Sequence, residues 1–214
     1  MKTLERYGFY LLIIAVISEL VLPFVLGRYI KGYSQAEMLI SSFGESGMPT
    51  KMAFKIWEII NGSLFVLAAP AFYAHFNSTS HSLAMGTAIC IVIFGIGDCI
   101  ITGLVDRASS TAEVGFASML HNYASGAGFV ALLIGTFLLI WLFHLQQNSL
   151  MVITLVVIFL LSSFFMFLFA MPKIPFINSL QISHRGLWQR LNLLFLYLPF
   201  FIVAVKSLPI FKNQ

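Results

Sequence analysis

Several ionisable side chains in this sequence sit inside long apolar runs, notably Glu19, Glu58, Asp98 and His121. A carboxylate and an imidazole brought together in a cleft are suited to proton transfer, so Asp98 and His121 are the candidate catalytic pair. Helical spacing adds neighbours on the same faces: Asn61 lies three residues after Glu58, and Ser125 four after His121. Arg185, Gln189 and Asn192 likewise share a face. Zinc ligand types occur at Glu58, Asp98, Asp106, His121 and His184, but neither His-x-x-x-His nor His-Glu-x-x-His is present. No metal is expected on that pattern. Ser41, Ser42, Ser118 and Ser125 are equivalent as nucleophiles, and none is singled out by an adjacent base. With no glycine-rich phosphate loop, haem-attachment motif or nucleotide fingerprint, no cofactor is expected either.

The elements that must position these residues follow from composition. Of 214 residues 59% are hydrophobic and 9% charged, with 22 Phe and a mean hydropathy of +0.94. An ordinary soluble domain carries roughly a quarter charged residues, so a soluble, disordered or disulfide-stapled protein is excluded. At roughly 20 apolar residues per crossing, the length allows about six spans and no additional domain. The expected fold is all-α, a single six-transmembrane-helix bundle over 1–214. Its spans fall near 8–27, 53–74, 83–105, 116–144, 150–170 and 187–208, and its longest loop is 28–52. The first run reaches full membrane length, so it reads as an anchor and not a cleaved signal. Cys90 and Cys99 lie nine residues apart in one span, too far along a helix to bond each other, and read as small hydrophobes. The net charge of +4 comes from scattered Lys and Arg flanking the spans, which argues for membrane lipids and against nucleic acid as partners.

Alternate spans run in opposite directions, and this sorts the ionisable residues onto one membrane face. Seven of the eight acids, with His121, His184, Arg185 and Arg190, belong to the face carrying the 28–52 loop. Charges at mid-bilayer cost about 2.5–3.5 kcal/mol each on insertion scales, so they are expected to face inward and find partners. The simplest arrangement is a polar cavity in one leaflet built by spans two, three, four and six. The loop roofs it, its amphipathic piece Ala36–Ile40 lies on the membrane surface, and Arg190 and Lys55 neutralise Glu58 and Asp98. Candidate ligand-binding residues are Glu58, Asn61, Asp98, Asp106, His121 and Arg190. The competing reading is that such groups only fix helix register, and the nearby glycines suit plain close packing equally well. Eight Lys and Arg lie on the loop-rich face and four on the terminal face. Several of the eight adjoin embedded acids, whereas Lys2, Arg6, Lys206 and Lys212 flank freely, so the termini are expected in the cytoplasm of a multi-pass cell-membrane protein.

The order of short motifs carries a resemblance. Ile40-Ser41-Ser42-Phe43-Gly44, the stretch Glu58 to Gly62, Gly103-Leu104-Val105-Asp106 followed by His121, and Gly186-Leu187-Trp188-Gln189-Arg190 resemble the prokaryotic six-span membrane family DUF998 over nearly the whole chain. Phe43 stands where that pattern favours Leu, and Gln189 where an acid commonly precedes the Arg. The family brings no assigned activity. A looser similarity of layout to the eukaryotic autophagy-modulator type of six-span proteins tilts the functional expectation toward binding or processing of a lipid or other amphiphile. A small-solute or proton-coupled transporter is the first alternative, disfavoured by the apolar second leaflet and the lack of repeats. A structural or regulatory partner of another membrane protein is the second.

Overall fold

The computed structural model describes residues 2–105, 115–174 and 183–208. Six helices dominate it: α1 Lys2–Gly27, α2 Lys51–Phe76, α3 His81–Leu104, α4 Phe116–Leu145, α5 Ser149–Ala170 and α6 Arg185–Lys206. All six are long and apolar enough to cross a membrane. At 1.5 Å per residue the shortest is about 33 Å long, which matches a hydrocarbon core of about 30 Å. The protein is therefore an all-α, multi-pass membrane bundle.

Local chemistry sets the ends of these helices. Asn148 accepts a hydrogen bond from Met151 N (3.1 Å) and so caps α5, while Gln147 takes a positive φ of 57° to turn the chain back from α4. Ser80 caps α3 in the same way through Leu83 N. The two turns on this face are joined by Gln146 Nε2 donating to Thr79 Oγ1 at 2.9 Å. Ile14, Ile17, Val21 and Phe24 on α1, and Ile153, Val157, Leu160 and Phe164 on α5, point outward. In a bilayer these are lipid-facing surfaces. Inside, rings fill the half nearer the termini: Phe65 packs edge-on to Phe94 (4.8 Å), Phe94 on Tyr197 (5.5 Å), Phe72 on Phe200 (5.9 Å) and Phe76 on Phe143 (5.5 Å).

Two features position the polar half. Helices α2 and α3 touch backbone to backbone where Gly62 faces Gly95, and a Cβ on Gly95 would lie 2.7 Å from the Gly62 carbonyl oxygen. Glycine is required there because apolar helices gain contact in lipid by close approach. From Gly95 to Ile101, α3 is wound as a π-helix, a local widening that recurs at functional sites. Asp98 and Cys99 lie in this stretch.

In the loop between α1 and α2, the amphipathic piece Ala36–Ile40 is docked onto the start of α6, a contact the sequence reading did not include. Leu187 N donates to Ala36 O (2.8 Å), and Ile40 N donates to Gln189 Oε1 (2.8 Å). A 3₁₀ turn at Ile40–Gly44 then buries Phe43 completely, stacked on Tyr33 at 4.6 Å. The reason is that the buried backbone groups of this irregular stretch need hydrogen-bond partners, and α6 supplies them.

Candidate functional site

The polar half converges on Glu19 of α1. Its Oε1 accepts from Asn61 Nδ2 at 2.5 Å and from the Cys99 thiol at 3.8 Å. Asn61 is itself held by Ser18, whose hydroxyl donates to Oδ1 at 2.6 Å and accepts from Trp57 Nε1 at 3.3 Å. Glu19 and Glu58 are 6% and 7% exposed, and Asn61 1%. Across α3, Ser125 of α4 donates to Asp98 Oδ1, and Thr102 donates to the Asp98 carbonyl. A cavity of about 40 Å³ lies among Glu19, Glu58, Asp98, His121 and Ser125, with Ile40 of the loop in its wall. That volume holds a few waters or one ion and no larger molecule. Among the described residues, Glu19, Glu58 and Asp98 form no ion pair.

Arg190 is placed differently from expectation. Its guanidinium donates to Met38 O and Gly186 O, both at 2.9 Å, and to Tyr33 Oη at 2.5 Å, with its carbon 5.9 Å from the Tyr33 ring centroid. It therefore holds the loop and neutralises neither Glu58 nor Asp98. The helix explains this, since Gln189 faces the polar cavity and the next residue is turned about 100° toward α1 and the loop. Lys55 Nζ donates to Leu104 O (3.3 Å) and also leaves Glu58 unneutralised. Burial raises the Tyr33 phenol above its ordinary pKa, partly offset by Arg190 beside it. Asp106 lies outside the described residues.

A second and larger cavity, about 400 Å³, opens between α1 and α6. Its lining is mostly apolar: Leu20, Pro23, Phe24, Leu187, Leu191 and Leu194. Phe24 and Leu187 at its edge are 56% and 37% exposed, so it faces the surrounding lipid sideways. An adjoining cavity of about 100 Å³ shares Leu20, Leu194 and Tyr197 with it and continues to Phe201. Taken end to end, the two line α6 from Arg190 to Phe201, eleven residues or about 16 Å, and are called the α1–α6 crevice. Polar groups cluster at one end, where Arg190 Nε and Gln35 Oε1 are buried without hydrogen-bond partners. Glu19, Ile40 and Leu193 form a wall common to the crevice and the small polar cavity.

The family model described as "Protein of unknown function (DUF998)" matches residues 13–206. The chain belongs to the DUF998 family. Comparison with curated proteins and with solved structures finds no match. The match takes in α2 to α6 and the second half of α1 and carries no activity with it, so the residues themselves must argue for one.

Of the candidate residues, the fold brings Glu58, Asp98 and His121 to one small cavity and sets Asn61 against it through Glu19. Arg190 is placed in the neighbouring crevice. Sequence reasoning recognised Glu19 as an embedded acid but left α1 out of the site; the polar pair Ser18-Glu19 within an apolar span was the available signal. Cys99 read as a small hydrophobe because its polar neighbours come from other helices, which spacing along one chain does not reveal.

Proposed function

We propose that this DUF998 protein binds a single-chain amphiphile with an anionic head, the chain lying in the crevice between α1 and α6 and the head at Arg190. The observation that carries the reading is the crevice: about 400 Å³ at its wide end, apolar along its length and open sideways toward lipid. Ligand pockets are commonly of about 300–1,000 Å³ and mainly apolar, with a few polar groups fixing orientation. Arg190 supports an anionic head because all its hydrogen-bond acceptors are neutral and its Nε–H has none. Guanidinium groups suit carboxylate and phosphate, the two anions that amphiphiles commonly carry. Glu19 enters the same crevice level with Tyr197, about two turns from Arg190, where the chain would pass.

Dry aromatic packing beyond Glu19 and Glu58 supports binding in one leaflet over passage through the bundle. We also place the protein in the cell membrane with cytoplasmic termini. The support for this is that Lys2, Arg6, Lys206 and Lys212 flank the spans directly, whereas several cations of the loop-rich face adjoin embedded acids.

Native mass spectrometry of gently solubilised protein tests the reading. One bound acidic lipid or fatty acid per chain is expected in the wild type and is lost on Leu194→Trp, which fills the crevice; Arg190→Gln weakens it by about tenfold or more. Equal retention by all three proteins, or a bare chain in each, contradicts it.

A further inference from the structure

Glu19, Glu58 and Cys99 are presented by three different helices, yet a carboxylate oxygen from each acid and the Cys99 sulfur all lie within 4.8 Å of one another. All three residues are buried. We propose that they form a binding site for one divalent metal ion of the zinc class.

Three arguments carry the assignment. First, two carboxylates are buried in the membrane half of the bundle without an ion pair among the described residues, a costly state that a dication relieves. Second, the donors are held from behind as metal ligands characteristically are: Trp57 holds Ser18, Ser18 holds Asn61, and Asn61 holds Glu19. Third, the Tyr197 hydroxyl, on a residue 1% exposed, is directed at the Glu19 carboxyl without completing a hydrogen bond. This unsatisfied buried hydroxyl, separate from the acids, is a further polar group aimed at the cluster.

The donor set selects the metal. A thiolate with two carboxylates favours zinc over magnesium or calcium, which take oxygen ligands. Three protein donors leave a fourth position of the tetrahedron open, and the polar cavity lined by Glu19 and Glu58 supplies a polar space beside it. His121 and Asp98 line that same space. The assignment does not depend on the amphiphile reading, because the crevice and the cluster share only Glu19 and Tyr197.

The test uses the full chain in lipid nanodiscs, stripped with chelator, reloaded with Zn²⁺ and dialysed, with metal measured by elemental mass spectrometry. About one zinc per chain is expected, and Cys99→Ser or Glu58→Gln should weaken binding by about tenfold or more. Cobalt substitution gives a readout needing no substitution at the site: the wild type should show a thiolate-to-cobalt absorption band. Cys90→Ser should retain that band. Far less than one zinc per chain, unchanged binding in both site variants, or a cobalt spectrum without the thiolate band each overturns the proposal.

Discussion

Ser125 donates its hydroxyl proton to Asp98 across the contact of α3 with α4, so the two residues should answer substitution in opposite ways. Ser125→Ala leaves a carboxylate in the bundle without its donor, and a loss of about 1–3 kcal/mol is expected as a lowered thermal midpoint. Asp98→Asn keeps an oxygen to accept from Ser125 and removes the charge, so the midpoint should hold or rise. A fall in Asp98→Asn as large as that in Ser125→Ala would instead make the carboxylate itself structural. Residues such as Glu58, Asp98 and His121 were legible in the sequence because a charge inside an apolar run is anomalous wherever it occurs. Arg190 was harder to read. It is as conspicuous in the sequence as they are, but its partners are two main-chain carbonyls and the Tyr33 hydroxyl, and no residue pattern announces a carbonyl.

The helices themselves were plain from apolar length, since twenty or so such residues have few alternatives to crossing a membrane. The π-helical stretch of α3 was not, because nothing in Gly95-Ile96-Gly97-Asp98 distinguishes a widened turn from an ordinary small-residue contact. The docked loop was missed for a related reason: Ala36–Ile40 has an amphipathic pattern, and its apolar side chains suit α6 as well as lipid. Both features give expected outcomes. Gly62→Ala forces a Cβ against the Gly95 carbonyl oxygen and should cost about 1–3 kcal/mol. Gly126→Ala, with nothing within 4 Å of the new atom, should be neutral or stabilise by about 0.5–1 kcal/mol, read in the same thermal series. Gln189→Leu removes the acceptor of the buried Ile40 N–H and should release the loop, which limited proteolysis between α1 and α2 would detect as faster cleavage. Unchanged cleavage would show that Arg190 and Leu187 suffice to hold it.

The bundle divides its membrane thickness between a polar half roofed by a folded loop and a half packed with aromatic rings, and its α1–α6 side is split by the crevice. That division was visible in the sequence as seven acids on one face; the crevice was not, since it comes from how two apolar helices diverge. Topology can be settled on whole cells: a C-terminal green fluorescent protein fusion should fluoresce and an alkaline phosphatase fusion at the same place should be inactive, and the reverse pattern would put the termini outside. The most direct measurement of the central claim is an experimental structure of the wild type in nanodiscs made with native lipid. An elongated density running from Arg190 toward Phe201 between α1 and α6, its polar end at the guanidinium, is the expected result. A crevice closed by its own side chains, or holding only water, would contradict it.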